Sequence, residues 1–474
     1  MSSNGLRCNS LCSSACALLL LGLAPWYATA QAPNAQASAP TASSFQGSVT
    51  SGMASSQSIN LSLDDAIQRG LRNNLSVILS GTQTSTVRGQ RLSQLQTLLP
   101  SVDFKAQEAV MQTDLAAQGL RIPGFPTIIG PFGYMDLRAY LSWSLVDVKS
   151  LREYLAARHN FAAAQLSEQD ARDLVVLTVG NAYLLVLADE TRISSVEAQV
   201  ATAKVSLDQA VASHEAGTAP KIDELRARVD YQTLQQLLIV ARNALNKDKL
   251  ALARTIGLPL EQNFNVADKE PYSVFDQIDV NAAIQQAQAN RKDLAAVVEQ
   301  VVAAQQQRMA ATADRLPTVQ FDGDYGVIGV NMNSSHGTGE AFGTLRVPLF
   351  KEFALRGEAE QAQAQLDTQR ARLSDMKAQV DADVRDALFD IAAAQKQVEV
   401  ARSSVDLAQE ALGEAQQRYA SGVDDNLAVS QAERSVAQAN EQYVASLYRH
   451  NVAKLSLARA LGMAQNYKNY LGGK

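Results

Sequence analysis

The chain is 474 residues long, 19% of its residues are charged, and its net charge is −6. Nucleic-acid-binding domains carry a clustered basic surface, so this charge balance speaks against nucleic acid as a partner. Aromatic residues make up only 6% of the chain. Alanine and glutamine fill long polar stretches instead, which favours helices with narrow buried seams over several compact cores.

The N-terminus has the features of a secretory signal over residues 1–30. Arg7 supplies the positive charge, Ala15 to Ala24 form the apolar core, and Ala28-Thr29-Ala30 is an A-x-A cleavage site. An anchoring transmembrane helix is the alternative, but this core is shorter than the roughly 20 residues that a span needs. Cleavage after Ala30 is therefore predicted.

The positions of the cysteines and the composition after the signal predict two properties of the mature chain. All three cysteines, Cys8, Cys12 and Cys16, lie inside the signal. The mature chain is thus predicted to have no thiol, no disulfide and no lipid-modified cysteine. Residues 31–57 are rich in Ala, Ser, Gln and Pro without periodicity, which predicts a flexible N-terminal segment.

The rest of the chain contains one pattern twice, a first repeat over 58–265 and a second over 275–465. Leu99–Phe104 resembles Leu316–Phe321. Further matched pairs are Ala66 with Ala283, Asn73 with Asn290, Ala182 with Ala387, Gly217 with Gly422 and Gly257 with Gly462. The spacing changes only once, because the first copy carries extra residues at Gly119 to Gly133. That Gly- and Pro-rich stretch is predicted to be a loop tip.

Each copy contains a long stretch without proline, Leu151 to Glu215 and Glu352 to Ala420. Proline breaks helices, so these Ala- and Gln-rich stretches are predicted to be helical rods, the first about 98 Å long at about 1.5 Å per residue. Gly217 and Gly422 follow as helix caps, and the chain then returns in a second helix. The apolar run Leu174 to Ala188 is predicted to be a buried part of its rod, because it is too short to span a membrane.

Before each rod, two segments alternate apolar and polar residues. The strands are predicted near 100–115, 134–147, 317–331 and 339–350. Such alternation is typical of transmembrane β-barrel strands, although a half-buried strand of a soluble sheet has the same period. Four strands cannot close a barrel, and open edges cannot remain in lipid, so other copies of the chain must complete it. The predicted fold class is mainly α with membrane β.

Catalysis is not predicted. The histidines His159, His214, His336 and His450 are far apart in sequence and lack ligand spacing or a paired nucleophile. No acid–base constellation stands out either, so we expect no catalytic residue, no cofactor and no metal site.

From about Leu61 to Gly462, the chain resembles the TolC-like outer-membrane efflux and secretion channels. The residues that carry the resemblance are Leu61–Ala66 with Asn73-Asn74, the strand entries at Leu99 and Leu316, Pro348-Leu349-Phe350, the tip glycines and the terminators Gly257 and Gly462. The resemblance implies a homotrimer with a 12-stranded barrel, four strands from each chain, above an α-helical tunnel through the periplasm. It also implies an inner-membrane transporter and a periplasmic adaptor protein that dock at the tips, Gly217 and Gly422.

In that family, polar contacts at the periplasmic tips close the tunnel. By position, Tyr419 matches a tyrosine used in closure, and Asp223 matches an acidic partner. The arginine expected two residues after the second tip glycine is replaced by Asp424. Ala428 and Gln431 replace two acidic residues of the second return helix.

Two carboxylates of this chain are alternative gate candidates. Asp424 and Asp425 can supply the negative charge at the second tip, or they can be solvated caps at a helix start. The hypothesis is that Asp223, Asp424 and Asp425 tighten a constriction that is sensitive to cations.

The predicted function is a passive export conduit in the outer membrane of a Gram-negative-type bacterium, for small molecules and drugs or for type I protein secretion. The alternative is a soluble periplasmic coiled-coil adaptor or scaffold, which also uses long helical hairpins. That alternative predicts compact β domains, whereas this sequence has repeated strand pairs, each flanked by helices.

Overall fold

A computed structural model describes residues 45–117, 119–268, 272–275, 278–423 and 426–471. The strands are β1 (Ile59–Leu61), β2 (Ser101–Asp114), β3 (Ile128–Val146), β4 (Phe264–Val266), β5 (Thr318–Gly329) and β6 (His336–Arg346). The helices are α1 (Leu63–Asn73), α2 (Leu75–Gln96), α3 (Val148–Glu215), α4 (Lys221–Ile256), α5 (Val280–Asn290), α6 (Lys292–Ala313), α7 (Glu352–Ala420), α8 (Asn426–Ala460) and α9 (Lys468–Leu471). The predicted signal at 1–30 lies outside the described residues.

The two rods are α3, with 68 residues, and α7, with 69 residues. The first begins a little earlier than predicted because Asp147 caps it: the Asp147 carboxylate accepts a hydrogen bond from the Ser150 N–H at 3.0 Å. Helix α4 packs back along α3, and α8 packs back along α7. Each pair forms a helical hairpin, named here the first and the second hairpin.

The most apolar part of α3 is buried against other helices of the same chain. Val175 and Val179 have no exposed surface. Gly180 lies so close to α8 that a Cβ added to it would be 2.7 Å from a methyl group of Leu455. By length and composition α3 could cross a membrane, but 61% of its apolar window is buried inside the chain. The prediction that Leu174–Ala188 is a core segment is confirmed.

Each half of the chain, corresponding to one predicted repeat, begins with two helices separated by a short break: α1 and α2 in the first half, and α5 and α6 in the second. Helix α1 has 11 residues and α2 has 22, and the same lengths recur in α5 and α6. The glycine that ends each return helix packs against this break. A Cβ on Gly257 would lie 2.6 Å from Asn73 Cβ, and a Cβ on Gly462 would lie 2.8 Å from the backbone nitrogen of Arg291. Residue pairs matched in the sequence are thus in contact in both halves.

Replacing Gly257 or Gly462 with alanine is expected to destabilise the protein. Both glycines have positive φ, 76° and 70°, which costs an L-residue about 1–2 kcal/mol, and the added methyl group also meets a packed neighbour. Gly357, inside α7, has open space around it, so Gly357→Ala is the control and should stabilise by about 0.5–1 kcal/mol. Thermal unfolding of the purified proteins measures both effects, and equal melting temperatures for all three variants would contradict the packing described here.

The larger sheet is antiparallel, with strand order β2-β3-β5-β6. Its apolar face is uncovered within the chain: Phe104, opposite Ala139 on β3, is 72% exposed. A separate pair of short parallel strands, β1 and β4, joins the start of the first half to the segment after α4.

Two strand boundaries differ from the predicted ones. Strand β3 begins at Ile128, inside the stretch Gly119 to Gly133 that was predicted to be a loop. The reason is the length of β2, whose last residue, Asp114, pairs with Ile128. The last strand covers 336–346 rather than 339–350. Pro348 has no N–H to donate to a ladder, which is consistent with pairing that ends before it.

A flexible segment was predicted over 31–57; residues 31–44 lie outside the described residues, and residues 45–57 differ from the prediction. The Val49 N–H donates to the Asn73 carbonyl at 2.8 Å, and the Ser51 N–H donates to the Gly257 carbonyl at 3.0 Å. Helix ends leave backbone groups unpaired, and this segment satisfies some of them. Its order comes from these long-range contacts and not from its own composition.

Candidate functional site: the helical tips and the polar face of the sheet

Each hairpin turns at the glycine predicted for its tip. Gly217 has φ 72° and Gly422 has φ 70°. At the first tip, the Thr218 N–H donates to the Ser213 carbonyl at 2.9 Å, which closes the last turn of α3. The two tips therefore have the same backbone geometry, although their charged residues differ.

Two of the predicted gate residues lie in one groove. Asp223 and Tyr419 both line a cavity of about 1160 Å³ between the tips of the two hairpins. Asp424 and Asp425 lie outside the described residues. The structure thus brings together one candidate from each hairpin.

Asp223 does not stand alone in this groove. It is 5% exposed, and its carboxylate pairs with Arg226 at 3.5 Å. The Asn426 amide donates to the Asp223 carbonyl at 3.5 Å, which links the starts of α4 and α8. Sequence reasoning missed Arg226, although its spacing of three residues from Asp223 on a helix was the available signal.

Three further side-chain contacts connect the first hairpin to α8. The contacts are Ser206 to Glu433 at 2.7 Å, Asp230 to Arg434 at 2.6 Å and Arg192 to Glu441 at 2.6 Å. Burial raises the pKa of the Glu433 carboxyl, which the Ser206 hydroxyl partly offsets by donating to it. These contacts hold the hairpins together along their length.

The polar face of the larger sheet carries an arginine that reaches across three strands. Arg138 on β3 pairs with Asp136 at 3.3 Å, with Asp324 on β5, and donates to the Thr338 hydroxyl on β6 at 3.0 Å. Gly326 lies directly opposite Arg138, and a Cβ there would be 2.8 Å from Arg138 Cβ. Because Gly326 has no side chain, the Arg138 side chain can lie against the sheet at this position.

A second polar group on this face surrounds Asp322. Its carboxylate accepts hydrogen bonds from the Ser142 hydroxyl at 2.7 Å and from the Gln320 amide at 3.0 Å. Charged and hydrogen-bonding groups thus cover one face of the sheet, whereas the opposite face is mainly apolar, with Glu108 on β2 as a charged residue there. Such a sheet can separate water from lipid.

Two of the histidines lie between helices. His159 contacts Glu299 on α6 at 2.7 Å. His450 is fully buried beside Tyr272, and burial together with the nearby Lys454 charge lowers the pKa of His450 to about 4. Burial also lowers the pKa of Lys454 to about 8, although its ammonium group donates to the Ser273 carbonyl at 2.6 Å.

Comparison with known proteins places these features in a family. The sequence profile described as "Outer membrane efflux protein" matches residues 88–258 and 283–463. The probable efflux pump outer membrane protein SepC of Pseudomonas putida is 25% identical over 320 residues, 66% of this chain and 64% of SepC. The chain thus matches slightly less than two thirds of the length of that relative.

Other similarities extend over most of the chain. The toluene efflux pump outer membrane protein TtgC of Pseudomonas putida is 22% identical over 487 aligned residues, 96% of this chain and 95% of TtgC. The crystal structure of the outer membrane protein VceC from Vibrio cholerae superposes with a TM-score of 0.74 at 20% identity, over 84% of this chain and 96% of VceC. The chain belongs to the outer membrane efflux protein family, which confirms the resemblance seen in its sequence and its location in the outer membrane with a periplasmic extension.

Proposed function

We propose that this protein is the outer-membrane channel of a tripartite efflux system and passes small molecules through without changing them. The observation that carries the proposal is the pairing of an amphipathic membrane-type sheet with two long helical hairpins in one chain. A soluble adaptor or scaffold offers no reason for the exposed apolar face around Phe104.

Closure of the barrel is part of the proposal. Strands β2 and β6 form the two edges of the sheet, and unpaired edge groups cannot remain in lipid. In an antiparallel order, β6 of one chain can pair with β2 of the next. Three chains give the 12-stranded barrel that the family resemblance implies, with lipid around the outside.

An internal duplication explains how three chains can build a tunnel of similar units. The two halves repeat the helix lengths and the contact between terminator glycine and helix break. The family profile also matches twice. Each half then contributes two membrane strands and one hairpin, so that a trimer contains six similar units.

The tips are the proposed docking surface for the partners. The periplasmic adaptor and the inner-membrane transporter are expected to meet the turns at Gly217 and Gly422. The names of SepC and TtgC describe efflux pumps, which favours efflux of small molecules over protein secretion for this chain. A passive conduit needs no reaction chemistry, so the proposed function includes no catalytic activity.

Two experiments together test the proposal. Deleting the gene should increase the sensitivity of the cells to toxic lipophilic compounds several-fold, and a plasmid copy should restore resistance. The purified protein should also form ion-conducting pores in planar lipid bilayers. Recovery of the native protein in the soluble periplasmic fraction, without pores, would support the scaffold alternative instead.

A further inference from the structure

Two aspartates face each other inside the first hairpin. Asp189 on α3 is 2% exposed, and its Oδ1 atom accepts a hydrogen bond from Arg192 at 2.9 Å. Its Oδ2 atom is buried and has no donor against it. Asp248 on α4 lies beside it, because the next residues along the two helices, Glu190 and Lys249, pair across the hairpin at 2.8 Å, and the Asp248 carboxyl group interacts with that of Asp189.

A single proton shared by the two carboxyl groups would remove the repulsion between them. Two ionised carboxylates are acceptors only and repel each other, whereas one shared proton gives them a hydrogen bond. Burial, together with Asp248, raises the pKa of Asp189 to about 7. Burial and the same two aspartates also raise the pKa of Tyr448, which approaches from α8. The nearby Lys249 is already paired with Glu190 at 2.8 Å.

Arg192 connects this pair to the second hairpin. Its guanidinium group contacts Asp189, and it also donates to both carboxylate oxygens of Glu441 on α8, at 2.9 Å and 2.6 Å. The charge on the aspartate pair therefore competes with Glu441 for one arginine. This competition couples protonation inside one hairpin to its contact with the other.

The second hairpin shows that the carboxyl groups are not needed for packing. The spacing that matches Ala182 with Ala387 places Ala394 and Ala453 at the positions of Asp189 and Asp248. Both alanines are buried in the apolar cluster between α7 and α8. Small apolar residues therefore suffice at this crossing, and the buried acidic pair in the first hairpin calls for another explanation.

We propose that Asp189 and Asp248 form a proton-binding site that controls how tightly the first hairpin is held to α8. With the proton bound, the pair carries less charge and attracts Arg192 less, so the bridge from Arg192 to Glu441 is held tightly. After the proton leaves, the doubly charged pair attracts Arg192 and weakens that bridge. This inference rests on the proposed function, because it links the width of an export duct to periplasmic pH. Protonation of the site can be tested without any export assay.

Infrared spectroscopy of the purified full chain tests the proton directly. The wild type should show a protonated-carboxyl C=O band at pH 6 that disappears by pH 9, and the double variant Asp189→Ala/Asp248→Ala should lose that component. Asp208→Asn, at an exposed carboxylate on the same helix, should retain it. Identical spectra for the wild type and the double variant would overturn the proposal.

Thermal unfolding gives a second measurement. A carboxyl whose pKa is raised by folding stabilises the native state at low pH, and this contribution is lost as pH rises from about 4 to about 7. The melting temperature of the double variant, minus that of the wild type, should therefore rise over this range and then level off. A difference that does not depend on pH would contradict the site.

The coupling to α8 is tested with Glu441→Gln. Removing the competing carboxylate leaves Arg192 to the aspartate pair, and so the midpoint of the infrared transition should move to lower pH by about one unit, since coupling between sites is reciprocal. An unchanged midpoint would show that the pair binds its proton independently of the second hairpin, which overturns the control of the bridge.

Discussion

Phe104→Arg is expected to eliminate most of the assembled protein from the outer membrane. Phe104 is on the apolar face of β2 and 72% exposed in the single chain. If that face meets lipid, an arginine there costs about 2–4 kcal/mol per chain near the middle of the bilayer, and a trimer carries this cost three times. The measurement is the amount of trimer in outer-membrane fractions, together with the sensitivity of the cells to lipophilic compounds.

The neighbouring residue supplies the control for this experiment. Asp103 lies next to Phe104 on the same strand, opposite Tyr140, and points to the polar face. Asp103→Arg introduces the same side chain but should leave assembly and resistance close to wild type. If both variants assemble normally, or both fail to the same extent, then the assignment of the apolar face to lipid is wrong.

Neutralising Asp223, Asp424 and Asp425 together is expected to weaken the block of the channel by multivalent cations about tenfold, which corresponds to about 1.4 kcal/mol. The triple Asn variant removes negative charge from the tips of all the chains that line the proposed constriction. Single-channel recording in planar bilayers, with a trivalent cation on the periplasmic side, measures the block and the conductance.

Asp223 has a charged partner in the structure. Asp223 is already paired with Arg226, so Asp223→Asn alone should change the block much less than the triple variant does. Asp367→Asn is the control, because Asp367 is an exposed carboxylate on α7, roughly 80 Å from the tip at about 1.5 Å per residue. A triple variant with unchanged conductance and unchanged block would remove the tip carboxylates from any gating role.

Features that depend on local chemistry could be predicted from the amino-acid sequence. Long stretches without proline predicted α3 and α7 to within a few residues, because a helix satisfies its backbone hydrogen bonds within one segment. Tip glycines marked the turns, and alternation marked the strands and their apolar face. The family resemblance followed from the order of these motifs.

Features that depend on residues distant in sequence became visible in the folded chain. The tertiary fold sets them. It ordered residues 45–57 on the break between α1 and α2, extended β3 into the predicted loop, and paired Asp223 with Arg226 inside a groove. It also placed Asp189 against Asp248, a contact that no periodicity reveals. Sequence pattern determines which face of an element is apolar, but burial and charge pairing arise when elements meet, and the protonation of a buried carboxyl depends on both.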